Sequence, residues 1–122
     1  MAHTYSFEKL LVWQKMKSVC LSVYKLSEGF PKSEMYGLSS QIRRSSISVC
    51  SNIAEGTGRE SIKEQGHFYK MAYSSLMELV NQLILVNELG FSTEVEYIEL
   101  RTKIDEVAKM LLGLKGHLQR RA

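Results

Sequence analysis

Apolar residues recur at alternating steps of three and four along four separate stretches of this chain, and only short turns separate the stretches. The last stretch is the most regular, with Tyr97, Leu100, Ile104, Val107, Leu111, Leu114 and Leu118 in step. At 3.6 residues per turn, that spacing puts all seven on one face of a helix. The first stretch obeys the same rule through Val12, Met16, Val19, Val23 and Leu26, with Trp13, Cys20 and Tyr24 widening the stripe. Nothing in the chain alternates with the period of two expected of a half-buried strand. The fold class is therefore all-α.

Boundary signals set four helices. The first is predicted over 8–27, stopped by Gly29 and Pro31. A second runs from about residue 34 to Gly56-Thr57-Gly58, with Leu38, Ile42, Val49 and Ile53 on its apolar face. Ser61 and Glu64 have the spacing of a capping box and open a third helix, which reaches Leu89 and closes at Gly90. Ser92 or Thr93, the latter with Glu96 three residues on, caps the fourth. Connections this short force consecutive helices to lie antiparallel. The expected architecture is an up-down-up-down antiparallel four-helix bundle with a left-handed, coiled-coil-like crossing. With 122 residues, 44% of them hydrophobic, and a single Pro, residues 1–122 suffice for one domain with one core.

The third helix carries more apolar surface than one packing face needs. Phe68, Ala72, Ser75, Leu79, Leu83 and Val86 form one stripe, and Tyr69, Tyr73, Leu76, Val80 and Ile84 form a second. Together they exceed the ~100° arc of a helix that packs once. Ile47 and Ala54 on the second helix and Leu21 on the first are displaced from their main faces in the same way. These residues point to self-association as the cover for the surplus.

Catalytic chemistry finds no constellation here. Glu64 and His67 match one Glu-x-x-His step of carboxylate-bridged metal bundles, but no second step accompanies it, so no metal or other cofactor is expected. Gly56-Thr-Gly58 lacks the lysine of a P-loop and reads as a turn. The serines at 45, 46, 48 and 51 have no His or Asp at a triad spacing. Cys20 and Cys50, thirty positions apart without a CxxC or a nearby His, read as reduced core thiols rather than a disulfide or reactive pair. No run approaches a membrane span and the start is not a leader, so a cytoplasmic protein with no membrane partner is expected.

A formal charge of +3 permits attraction to phosphate without requiring it. Arg43 and Arg44 are adjacent and point about 100° apart. Arg44, on the polar side, suits phosphate or solvent, whereas Arg43 is expected to reach a carboxylate within the bundle or across a subunit contact. Gln41, Ser45, Ser48, Asn52 and Glu55 form a polar stripe, in which Asn52 and Glu55 are expected to satisfy hydrogen bonds between helices or subunits.

Five groups of residues then carry a resemblance. Phe7-Glu-Lys-Leu-Leu-Val-Trp-Gln14, Phe30-Pro31, Tyr36-Gly-Leu with Gln41-Ile-Arg-Arg44, Ser51-Asn-Ile-Ala-Glu-Gly56, and Gly58-Arg59 follow one another in an order and spacing that span nearly the whole chain. In these the chain resembles the four-helix-bundle family of proteins encoded by intervening sequences in bacterial 23S rRNA genes, which includes accessory proteins of diversity-generating retroelements. Ser45 and Ser46 stand where that family usually has Ala, and Cys50 stands where Pro is common.

The resemblance implies a non-catalytic bundle that assembles as a ring-like homopentamer. In the retroelement branch it also implies nucleic-acid binding and partnership with a reverse transcriptase. RNA or DNA would be held by phosphate contacts from Arg44, Arg59 and Lys63, with Arg120 and Arg121 as a second basic cluster. The competing reading is an oligomeric protein-binding scaffold with no nucleic-acid role.

Overall fold

The computed structural model describes residues 2–121, and it consists of four long helices. These are α1 (Leu11–Glu28), α2 (Leu38–Thr57), α3 (Ile62–Glu88) and α4 (Glu94–Arg121), with single 3-10 turns at Ser6–Lys9 and Lys32–Glu34. No strand occurs among the described residues. The backbone of each helix packs on two neighbours, α1 on α2, α2 on α3, α3 on α4 and α4 back on α1, and diagonal helices approach only through core side chains. The four-helix bundle is thus a closed square.

The apolar periods form the core. Val12, Met16, Val19 and Val23 from α1 meet Ile42, Val49 and Ile53 from α2, Ala72, Leu76, Leu79, Leu83 and Val86 from α3, and Leu100, Ile104, Val107 and Leu111 from α4. Each of the larger aliphatic side chains contributes about 1.5–3 kcal/mol by leaving water. Phe30, from the α1–α2 turn, and Phe91, from the α3–α4 turn, sit 5.7 Å apart and close one end of the core. At the opposite end Phe7 packs edge-on against Trp13 at 5.0 Å.

Local chemistry explains where the boundaries differ from expectation. α1 begins at Leu11 rather than Glu8, because Leu10 is extended (φ −77°, ψ 122°) and the Glu8 carboxylate turns back to accept from the Tyr5 amide at 2.7 Å. α2 begins four residues late, since Lys32–Glu34 winds as a 3-10 turn and Gly37 precedes the helix at φ −108°, ψ −110°, outside the helical region. Gly90 takes φ +79° beyond α3, and Phe91 N–H donates to the Val86 carbonyl at 2.9 Å while Gly90 N–H donates to Asn87. That paired arrangement is a Schellman motif and needs the left-handed residue that glycine supplies.

Of the two candidate caps for α4, Thr93 is the one used. Its Oγ1 accepts from Glu96 N–H at 3.1 Å and its own N–H donates to the Glu96 carboxylate at 2.8 Å. Ser61 caps α3 through the Glu64 amide at 3.0 Å. The expected return bond from the Glu64 carboxylate does not form among the described residues. Gln65 fastens that turn instead, donating to the Arg59 carbonyl at 2.7 Å.

The broad apolar arc of α3 is mostly covered within the chain. Tyr69 and Leu76, expected to face a second copy, are buried in the bundle, and Tyr73 and Val80 are half-buried against the core. Ile84 alone of that stripe stays open, at 37%. A corner of a square bundle must face two neighbours at once, which widens the arc beyond that of a helix with one partner.

Candidate nucleic-acid interface

Antiparallel packing decides which basic residues meet. α2 ends, α3 begins and α4 ends at the same pole of the bundle, where Gly66 of α3 faces the Leu118 side chain of α4. Arg59 in the α2–α3 turn, Lys63 in the first turn of α3, and Arg120 and Arg121 in the last turn of α4 are therefore gathered at this pole, all exposed. The Arg59 guanidinium carbon sits over the Phe68 ring, 4.6 Å from its centre, a cation–π contact that holds an otherwise exposed side chain. None of the four is held in an ion pair among the described residues. The opposite pole, around the α3–α4 turn, exposes Glu88, Glu94, Glu96 and Glu99. Both poles carry mixed charge: Glu60 and Glu64 are exposed beside Arg59 and Lys63, and Lys25 and Lys103 stand beside Glu96 and Glu99.

Arg44 does not join this cluster. It sits fifteen residues before Arg59, about 20 Å away along the helix axis at 1.5 Å per residue. There it borders an open groove of about 720 Å³ between the α1–α2 turn and α2, lined also by Tyr24, Lys32, Met35, Tyr36, Arg43 and Ile47. Lys32 and Tyr36 were not expected as site residues. Tyr36 is 93% exposed and lies in the turn before α2, where the sequence reads the start of the second helix.

Within the chain, Arg43 meets no carboxylate among the described residues: its Nε donates to the Ser27 hydroxyl at 2.7 Å, and its guanidinium carbon lies 4.7 Å from the Tyr24 ring centre. Ser27 is buried in the last turn of α1, where a cation also complements the helix C-terminus. Arg43 is thus an α1–α2 joint.

The polar stripe of α2 faces α3 and is used for packing. Ser48 and Ser75 share a hydrogen bond at 2.9 Å across the two helices, and Asn52 donates to the Ser48 carbonyl at 2.9 Å and to its hydroxyl at 3.3 Å. Ser45 donates to the Gln41 carbonyl and Ser46 to the Arg43 carbonyl. Asn52 is tied to its own helix rather than to a neighbour, and Glu55 is exposed with no hydrogen bond between helices among the described residues. Gly56 closes the joint: a Cβ there would stand 2.9 Å from both Phe68 Cβ and Tyr69 Cε1.

No His, Cys, Asp and Glu group among the described residues has the makings of a metal site, and no described helix is long and apolar enough to cross a membrane. What the surface offers is one basic pole and one aromatic-basic groove on an all-helical scaffold. Residues 8–113 match the family of the 23S rRNA-intervening sequence protein, and the chain belongs to that family. A crystal structure of a protein with unknown function from the S23 ribosomal protein family of Bacteroides thetaiotaomicron shares the fold with a TM-score of 0.80. It is 21% identical, over 86% of this chain and 98% of that one. No curated protein matches the chain by sequence.

Proposed function

We propose that this protein is a non-enzymatic, self-associating four-helix bundle of the cytoplasm that binds RNA or DNA through phosphate contacts. One observation carries the reading: Arg59, Lys63, Arg120 and Arg121 come from three elements to one pole, exposed and without an ion pair among the described residues. Surface cations neutralised within the protein release no counterions on binding, whereas free ones do, and counterion release is the main source of sequence-independent affinity. Family membership makes structured RNA the first ligand to test. The contacts proposed are to the backbone, since free cations neutralise phosphates without reading bases.

Self-association is supported by the outer α1 and α2 faces, where Leu21 is 66% and Ile47 44% exposed. A ring such as the pentamer implied by the family resemblance would present several basic poles together and multiply their field. The Tyr36 groove favours a second reading, a scaffold that docks a protein side chain between Tyr24, Met35 and Ile47. Fluorescence anisotropy with a labelled RNA stem-loop and a DNA duplex, with light scattering on the same samples, tests both parts. Binding of either nucleic acid by a species heavier than one chain is expected. Failure to bind at low salt leaves the scaffold reading, and a monomeric mass at micromolar concentration removes self-association.

A further inference from the structure

Cys20 and Cys50 are thirty residues apart in sequence and neighbours in space. Ser27 of α1 meets Arg43 of α2 at 2.7 Å. Antiparallel helices hold such a register, so seven residues back along α1 and seven forward along α2 must also face one another, two turns away. Those positions are Cys20 and Cys50. The Cys20 sulfur reaches across to α2, where it lies 3.3 Å from the hydroxyl of Ser46, one turn before Cys50. Both are free and half-buried, so a small oxidant can reach them while the helices keep them together.

We propose that Cys20 and Cys50 form a peroxide-oxidised disulfide site that locks α1 to α2, with Cys20 as the attacking thiol and Cys50 as its resolving partner. The neighbouring Cys50 thiol is the main cause that lowers the Cys20 pKa, to about 6, while the Cys50 thiol is pushed up and stays protonated. Packing separates the two roles as well: Cys50 is set against the hydrophobic core, whereas Cys20 lies outside that cluster and is the thiol an oxidant meets first. The Cys20 thiolate attacks the hydroxyl oxygen of a hydroperoxide, the O–O bond breaks, and Cys20 becomes a sulfenic acid while the leaving hydroxide or alkoxide takes a proton from solvent and departs as water or an alcohol. Cys50 sulfur then attacks the Cys20 sulfur, the S–O bond breaks, and the departing hydroxide takes the Cys50 proton as water. Two electrons pass from the sulfur pair to the peroxide.

The test uses the full chain, reduced and freed of reductant, treated with hydrogen peroxide and then alkylated. The expected product is an unalkylated monomeric chain about 2 Da lighter, for two lost hydrogens. Trypsin should release residues 18–25 joined to 45–59, and dithiothreitol should separate them. Cys50→Ser should leave Cys20 as a sulfenic acid that dimedone traps, while Cys20→Ser should leave Cys50 open to alkylation. Full alkylation of both cysteines after peroxide, or a disulfide only between chains, would overturn the proposal. The wild-type mass result stands even where a variant folds poorly.

Discussion

Arg43 Nε donates to Ser27 Oγ at 2.7 Å, so one side chain of α2 ties down the last turn of α1. The bond is half-buried, and its loss strands the Ser27 hydroxyl with only the Tyr24 carbonyl at 3.0 Å as a partner. Arg43→Ala should therefore lower unfolding free energy by about 1–3 kcal/mol. Arg43→Lys should recover only part of it, since an ammonium cannot both lie flat on Tyr24 and donate sideways. Arg44→Ala, on the exposed side, should stay within about 0.5 kcal/mol of the parent. Urea unfolding compares the three, and equal losses for Arg43→Ala and Arg44→Ala would remove the joint.

Two helical glycines should respond with opposite signs to the same change. At Gly56 an added methyl would lie 2.9 Å from Phe68 Cβ, which belongs to the helix rather than to a movable tip, and α2 and α3 must separate. Gly56→Ala should cost about 1–3 kcal/mol. At Gly113 in α4 nothing lies within 4 Å of an added Cβ, so Gly113→Ala should gain about 0.5–1 kcal/mol from helix propensity alone. Thermal melts decide it, and a stabilised Gly56→Ala would contradict the close α2–α3 approach.

Thr93 both accepts from and donates to Glu96. Thr93→Ala should destabilise by about 1 kcal/mol, and Ser92→Ala, which leaves both cap bonds in place, by clearly less. Hydrogen exchange of the first α4 amides offers the local readout: protection there should fall in Thr93→Ala before it falls in the core.

The thiol pair has a pH signature. With its folded pKa lowered to about 6, Cys20 should alkylate at a rate that climbs as pH passes that value and levels off well below the pH where an ordinary thiol ionises. Cys50, Ser46 and Lys17 are the groups arrayed around the pair. The largest cause of the depression is the neighbouring Cys50 thiol, so Cys50→Ala should move the Cys20 midpoint upward. A midpoint unmoved by that substitution would separate the two thiols.

Much of this architecture was legible because the chain signals it locally. Ser61 and Gly90 mark the two ends of α3 and Thr93 the start of α4, and the apolar period of α4 gives its core face, with Tyr97 and Leu114 half-buried at its edge. The start of α1 was misread because helical periodicity continues through Leu10, while a single extended backbone angle there is not encoded in any period. Tyr69 and Leu76 were read as needing another copy because a stripe on one helix does not reveal how many neighbours that helix has. The candidate site was legible as residue types but not as a place. Arg59, Lys63, Arg120 and Arg121 share a pole, and Arg44 lies elsewhere, only because the helices alternate direction. The Cys20–Cys50 contact was hidden for the same reason and emerges once the Ser27–Arg43 register is known.

The most direct measurement is the salt dependence of RNA binding, comparing the parent with a variant in which Arg59, Lys63, Arg120 and Arg121 are all changed to Ala. Phosphate contact at the basic pole predicts that log affinity falls linearly with log salt in the parent, with a slope shallower by roughly 3–4 in the variant. Arg44→Ala should change that slope by no more than about 1. Identical slopes for the parent and the four-residue variant, or no binding by the parent at low salt, would contradict the basic pole as a nucleic-acid surface.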